Sequence, residues 1–304
     1  MLIKEIMKAW NIECNPVQIY HSAWEINNSY ILKAYDKEDT LQRNITIMKV
    51  LHEAGIPVPE LVKLPNQQEY LLHNDKQYIL TTKLRGKNIV DLKECDNQLY
   101  FEFGRSIAKL HVAFLECAEK INYWNNSMLE EMTGWVSQNL KKYEPNFVDQ
   151  NEVKASIEEL SSVYEDLPKQ LIHRDVHLGN FFFDKGVLSG YIDFDLSQSN
   201  IRMFDICYFL LGLLLKENDQ CLDKDVWFEI IPQVVKGYQS TVELRPTERR
   251  AVACVMKNIE LLFVAYFLGN GDEKLAKDAA NIFNFIIKNE VRIQKAVEDD
   301  FTPI

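Results

Sequence analysis

Residues 171–195, LIHRDVHLGNFFFDKGVLSGYIDFD, constrain the fold of this 304-residue chain more than any other segment. Two short apolar runs, 180–183 and 188–192, are joined by Asp184-Lys185-Gly186. Apolar runs of this length bounded by turn residues read as paired strands. The flanking periodicity is helical. Leu99, Phe103, Leu110 and Phe114 mark one helix face, and Val153, Ile157 and Leu160 another. The helical pattern resumes from Ile206, with a break around Arg245-Pro246. A strand pair set inside a helical region implies an α+β chain.

The first third reads differently. Residues 17–20 and 30–35 read as strands, rich in Val, Ile and Tyr, with a polar turn region over 22–29 between them. Asp39 or Thr40 can cap a helix in which Leu41, Ile45, Met48 and Leu51 recur at helical spacing. Gly55 ends it. Residues 69–72 and 77–82 form a hairpin about Asn74-Asp75. The order is strand, strand, helix, strand, strand. Arg85-Gly86 reads as a hinge, which divides the chain into domains 1–84 and 85–304.

The polar residues around the inner hairpin point to phosphoryl transfer. A hydroxyl nucleophile needs a carboxylate to orient it and take its proton. Nucleotide phosphates need magnesium, which prefers oxygen ligands. Asp175 supplies the carboxylate, and Asn180 and Asp193 supply the oxygens from the two arms of the hairpin. His173-Arg174-Asp175 followed by Asn180 matches the kinase catalytic-loop pattern in identity and order. Lys33 ends a strand, where a kinase places the lysine that meets the phosphates. Backbone groups of Thr82 and Leu84, beside the hinge, suit an adenine edge.

With these residues in place, the chain resembles the aminoglycoside phosphotransferase and choline kinase-like family. This is the small-molecule branch of the protein-kinase-like fold. The resemblance runs through Tyr30 to Lys33, Gly55-Ile56-Pro57-Val58-Pro59, Leu84-Arg85-Gly86, Leu110-His111, His173 to Asn180, Ile192-Asp193-Phe194 and Phe204-Asp205-Ile206. It implies a bilobal α+β fold with a small antiparallel-sheet N-lobe and a larger, mostly helical C-lobe. It implies a phosphotransferase using ATP or GTP with Mg2+ and acting on a hydroxyl of a small molecule: an aminoglycoside, amino alcohol, homoserine or sugar. Asp175 is then the catalytic base, Asn180 and Asp193 the metal ligands, and Lys33 the phosphate contact. Asp205 is then the brace that holds the catalytic loop, with His173, through backbone hydrogen bonds. Read without the resemblance, Asp205 is a helix N-cap and His111 a packed core histidine.

Three departures from the pattern stand out. The helix after Lys33 reads Leu41-Gln42-Arg43-Asn44-Ile45-Thr46-Ile47-Met48 and lacks the glutamate that pairs with the strand lysine. Asn44 or Thr46 faces Lys33 instead, or Glu38 reaches in. No glycine occurs over 22–29, where a kinase covers the phosphates. Asp195 stands where a protein kinase has glycine. These departures keep open a pseudokinase that binds nucleotide or a partner without turnover. His173, Asp175 and His177 also raise a metal-hydrolase reading, which lacks a second ligand cluster.

Protein substrates are disfavoured, because only eleven residues separate Asp193 from Asp205 and no Ala-Pro-Glu follows. The acceptor pocket is expected between the catalytic loop and the C-terminal helices. Those helices offer Trp227, Phe228, Tyr238, Phe263, Tyr266 and Phe267, with Glu229, Glu260, Asp272 and Glu273; Trp124 and Trp135 share their ambiguity. Aromatic and acidic groups suit an amine or quaternary ammonium. Composition agrees. The net charge is −11, carried wholly by residues 86–304, with 24 basic and 35 acidic side chains. That excludes a sequence-blind nucleic-acid binder. Six scattered cysteines form no Cys-x-x-Cys pair. With no leader-like start, and with the most apolar stretch, Ile206 to Leu215, only ten residues long, a cytoplasmic, membrane-free protein is expected. The oligomeric state is left open.

Overall fold

The computed structural model describes residues 2–89, 95–118, 120, 125–214 and 222–298. Trp124, Leu215 and Cys221 lie outside them. In chain order the elements begin with helix α1 (Leu2–Met7), strands β1 (Pro16–Tyr20), β2 (Ala23–Ile26) and β3 (Tyr30–Tyr35), and helix α2 (Glu38–Glu53). Strands β4 (Leu71–His73), β5 (Lys76–Thr82) and β6 (Lys87–Asn88) follow. Next come helices α3 (Asn97–Ala118), α4 (Met128–Glu131), α5 (Ser137–Tyr143) and α6 (Gln150–Val163). Strands β7 (Lys169–Ile172), β8 (Phe181–Asp184), β9 (Val187–Tyr191) and β10 (Gln198–Ile201) lead to helices α7 (Met203–Gly212), α8 (Lys224–Gln239), α9 (Pro246–Arg250), α10 (Val252–Gly269) and α11 (Glu273–Glu298).

These elements form two compact units. The first contains the chain up to Asn88 and also Asn180–Asp195. The β8–β9 hairpin therefore belongs with the N-terminal residues, not with the helices that flank it in sequence. The reason is local: β6 pairs with β8, Lys87 opposite Phe183 and Asn88 opposite Phe182. Gly86 turns the chain into this pairing with φ +82°, and a Cβ there would lie 2.2 Å from the Phe183 carbonyl oxygen. Only glycine meets both demands.

The main sheet of this unit is antiparallel in the order β1-β2-β3-β5-β4. Residues 22–29 are thus not a turn region. Ala23–Ile26 is the strand between β1 and β3, and Asn27 and Asn28, both at positive φ, make the tight turn into β3. The polar side chains masked a strand that contributes only Ile26 to the buried core. Asn74 and Asp75 make the corresponding turn between β4 and β5. One sheet face carries Ile26, Leu32, Tyr78 and Leu80 against Ile6, Met7 and Trp10 of the N-terminal segment. Helix α2 begins at Glu38 after Lys37, and neither Asp39 nor Thr40 caps it.

The second unit is mostly helical. Helices α3 and α8 approach closely: a Cβ on Gly104 would meet the Val234 carbonyl at 1.9 Å, and one on Gly237 the Phe101 carbonyl at 1.9 Å. Each helix thus uses a glycine where the other's backbone passes. Strand β7 pairs antiparallel with β10 and sets residues 173–179 just beyond its end. Helix α10 is the longer of two apolar helices among the described residues, the other being α7. Val252–Gly269 is long and apolar enough to cross a membrane by length and composition, and 72% of it is buried within the protein. Cys14, Cys95, Cys207 and Cys254 form no disulfide among the described residues.

Candidate active site

In the N-terminal unit, β3 presents Lys33 and Tyr35 on the sheet face opposite Leu32, two residues apart as strand alternation requires. The Lys33 Nζ donates to Asp193 Oδ1 at 2.8 Å and to Asp195 Oδ2 at 2.7 Å. The Tyr35 hydroxyl donates to Asp195 Oδ1 at 3.2 Å. The Asn44 amide donates to the Tyr35 oxygen at 2.7 Å and to Asp195 Oδ1. Five side chains from β3, α2 and the segment after β9 thus close one network. Burial pushes the Lys33 ammonium down, but the Asp195 and Asp193 charges outweigh it and hold its pKa above the ordinary lysine value. Burial, followed by the same two charges, raises the Tyr35 hydroxyl well above its usual range.

Asn180 and Asp193 stand together at the foot of the hairpin. The Ile192 N–H donates to the Asn180 carbonyl at 3.1 Å, one residue before Asp193. Asp193 has φ +65°, a left-handed conformation that costs an aspartate of order 1 kcal/mol. Asn180 and Asp193, with Asp195 nearby, offer only hard oxygen donors. That set fits a magnesium-type cation, which takes one or two carboxylates and completes its shell with phosphates and water. Lys33 now bridges the two carboxylates, where a cation belongs electrostatically.

The two hinge candidates differ. The Thr82 N–H already donates to the Glu60 carbonyl at 2.8 Å, and its hydroxyl accepts from the Glu60 N–H at 3.0 Å. Its amide is therefore engaged within the unit. Leu84 lies beyond the end of β5 and rests its side chain on Gly190 of β9. No described residue takes its backbone groups in a hydrogen bond.

In the second unit, residues 173–175 follow β7. Asp205 accepts from the His173 N–H at 2.9 Å on Oδ2 and from the Arg174 N–H at 2.8 Å on Oδ1. The His111 Nε2 lies 2.9 Å from the same Oδ2, and His111 Nδ1 lies 2.8 Å from the Tyr238 hydroxyl. Asp205, His111 and His173 are almost fully buried. Asp205 is the third residue of α7, and its carboxylate serves the loop amides, so the N-cap reading is wrong. His111 is packed in the core, as expected, and is also paired.

Arg174 has φ +67° and donates from one Nη to both oxygens of Glu131 at 2.9 Å. The Tyr208 hydroxyl donates to Asp175 Oδ1 at 3.0 Å, and the His177 Nε2 lies 3.7 Å from its Oδ2. Burial raises the Asp175 pKa, but the hydrogen bonds and charges of His177, His173 and Tyr208 overcome this and hold it below the usual carboxylate value. His173, Asp175 and His177 do not converge as metal ligands. The His173 Nδ1 accepts from the Asp175 N–H at 3.3 Å, and the His177 Nδ1 from the Gly179 N–H at 3.1 Å.

The aromatic candidates separate by environment. Trp227 and Tyr238 are fully buried core. Phe263 lies 6.0 Å from the Tyr208 ring and stacks on Phe267, and Tyr266 packs edge-on against Phe267 while half exposed. Of the four candidate acids only Glu260 is buried, and burial alone pushes its pKa up to about 8. Glu260 also acts electrostatically on Tyr208.

Sequence reasoning missed Tyr35, Asn44 as a ligand of Asp195, Glu131 and Tyr208. Two of these had a signal. Asn44 sits on the apolar stripe of α2, three residues after Leu41, and Tyr208 is one helical turn after Asp205. Glu131 had none.

The sequence pattern of the phosphotransferase enzyme family, APH, matches residues 18–245. A homoserine kinase of Polaromonas naphthalenivorans is 26% identical over 205 residues, 64% of this chain and 59% of that protein. One of Zymomonas mobilis is 24% identical over 246 residues, 78% of this chain and 72% of its own. The chain thus spans about three fifths of the first of these relatives. An amicoumacin kinase, solved with AMP-PNP, Ca2+ and Ami, superposes with a TM-score of 0.70 at 19% identity, over 99% of this chain and 93% of that one. A phosphotransferase solved with GDP and kanamycin gives 0.71 at 14% identity, over 95% and 98%. The fold is protein-kinase-like, with an antiparallel-sheet N-terminal region and a helical C-terminal part.

Proposed function

The chain belongs to the phosphotransferase enzyme family, and on that premise we propose that it is a small-molecule kinase. Its acceptor is a hydroxyl compound that also carries an amine, such as homoserine or an amino alcohol. Its donor is a purine nucleoside triphosphate. The observation that carries this reading is the seat of Asp175: one carboxylate oxygen accepts from Tyr208, and its loop hangs by two backbone amides from the buried Asp205. A base held in one orientation and ionised at neutral pH meets the requirement for deprotonating a hydroxyl.

In the proposed reaction the acceptor O–H gives its proton to Asp175 while its oxygen bonds to the γ-phosphorus. The bond from that phosphorus to the β–γ bridging oxygen breaks, releasing nucleoside diphosphate. Asn180 and Asp193 would hold Mg2+, which when bound neutralises charge on the β- and γ-phosphates. Lys33 meets the phosphates, and the Leu84 backbone meets the purine edge. The amine is read from Glu260, a buried carboxyl without an ion pair among the described residues, in the company of Tyr208 and Phe263. An acceptor's ammonium would supply its missing partner. The names of the relatives agree with an amino-acid acceptor.

The test is phosphate transfer from labelled ATP and GTP to a panel of homoserine, amino alcohols, aminoglycosides and neutral sugars. Asp175→Asn should lose at least about a hundredfold in turnover, the low end of a general-base contribution. Its nucleotide-induced thermal shift should stay near that of the parent. Equal turnover in both proteins refutes the base. Nucleotide binding with no transfer to any acceptor leaves the pseudokinase reading in its place.

A further inference from the structure

We propose that Asp195 takes over the work of the missing helix glutamate, as the positioning residue that holds Lys33 to the nucleotide phosphates. The inference rests on the kinase reading and deepens it at the phosphate side. In the kinase pattern, a glutamate on the helix after the lysine strand fixes the ammonium, and the residue two after the metal-binding aspartate is glycine. This chain departs from the pattern at both positions. The helix offers Asn44, and residue 195 is an aspartate.

The hydrogen bonds show why the departures belong together. A glutamate at 44 would be an acceptor facing an ammonium. Asn44 is instead a donor, and its amide points at Asp195 Oδ1. The carboxylate has moved from the helix to the segment after β9, and the helix supplies the group that orients it. Tyr35 secures the arrangement, accepting from Asn44 and donating to the same Oδ1. With Oδ1 held twice, Oδ2 faces Lys33 at 2.7 Å. Thr46 and Glu38 are engaged elsewhere: the Thr46 hydroxyl donates to the Gln42 carbonyl, and Glu38 accepts from Tyr70.

Asp193 and Asp195 are not equivalent partners of Lys33. The Asp193 side chain is 41% exposed and meets the ammonium through one oxygen, whereas Asp195 is 26% exposed and anchored through both. Asp193 is therefore the partner that Lys33 can release to a cation, and Asp195 the one it keeps. Both contacts are charge-assisted, so neither is a passive neighbour.

A double-mutant cycle tests this. Asp195→Asn and Lys33→Met are made singly and together, and kcat, KM and the affinity for AMP-PNP with Mg2+ are measured for each. Asp195→Asn should cost about ten- to hundredfold in kcat/KM and weaken nucleotide, with acceptor KM unchanged, as expected for a lost hydrogen bond to a charged group. In the Lys33→Met background the same change should cost less than about twofold. Moving the carboxylate back, Asn44→Glu with Asp195→Asn, should recover most of the loss. Additive losses in the cycle, with Asp195→Asn restored by raised Mg2+ and not by Asn44→Glu, would overturn the proposal and make Asp195 a metal ligand. Melting temperatures, with Asp195→Glu as a conservative control, separate these effects from misfolding. Nucleotide affinity is read without any acceptor, so a failure to find transfer leaves the cycle decisive.

Discussion

Two aspartates, 193 and 205, sit in clusters built on opposite principles. Asp193 shares Lys33 with Asp195 in a group that stays a quarter to two fifths exposed. Asp205 is fully buried and accepts from two loop amides and a histidine that is itself held by Tyr238. The first cluster is charge against charge, with water at hand to solvate whatever is released. The second is a set of hydrogen bonds with no solvent to fall back on. A group that must exchange partners belongs in the first environment, and a group that must hold a loop still belongs in the second.

Three stability measurements sharpen or break this contrast. Asp205→Ala should have the largest effect, about 3–5 kcal/mol, because it removes the acceptor that two loop amides and a histidine share inside the core. Denaturant unfolding would check it. A loss below about 1 kcal/mol would mean that the buried cluster is as replaceable as the exposed one.

Glu260→Gln comes next, through its pH dependence. The folded carboxyl ionises near pH 8, against an ordinary value of 4.5. The native state therefore binds the proton more tightly than the unfolded chain. That stability is fully present below pH 4.5 and falls as pH rises toward 8, at up to about 1.4 kcal/mol per pH unit. Glu260→Gln should flatten this slope and be the more stable protein at pH 8. Adding the acceptor amine should flatten it as well. Parallel slopes for both proteins would show that Glu260 ionises freely.

Lys33→Met should have the smallest effect, within about 1 kcal/mol of the parent, since the two ion pairs it breaks are partly solvated. A loss approaching that of Asp205→Ala would erase the difference between the clusters.

The candidacies of Lys33, Asp175, Asn180 and Asp193 were open to sequence reading because order and spacing carry them, whereas that of Asp205 rested on the family resemblance. The strands around them were legible through alternation, and the Asn74-Asp75 turn through its residues. Strand β2 was not, since Ala23–Ile26 is only four residues long, lies among polar neighbours and buries only Ile26, so that its pairing with β1 and β3 alone defines it. The pairing of Asn44 with Asp195 was hidden for a different reason. The two lie 151 residues apart, and no local pattern reports on a long-range hydrogen bond. The Thr82–Glu60 pairing was hidden for the same reason, since Glu60 comes from outside the hairpin.

The membership of Asn180–Asp195 in the N-terminal unit has a consequence for how the protein is made. Residues through Asn88 leave the ribosome without the strand that β6 pairs with and without either counterion of Lys33. At about 5–20 residues per second, the 107 residues to Asp195 take roughly 5–20 s to appear. During that interval β6 has an open edge and Lys33 faces solvent. The nascent front third is therefore a species in waiting, whose last strand pair arrives only after α3 to α6 have been synthesised. The same discontinuity bears on inheritance by recombination. A crossover anywhere between Asn88 and Asn180 would take Lys33 and Asn44 from one parent and Asp193 and Asp195 from the other, dividing one network between two sources.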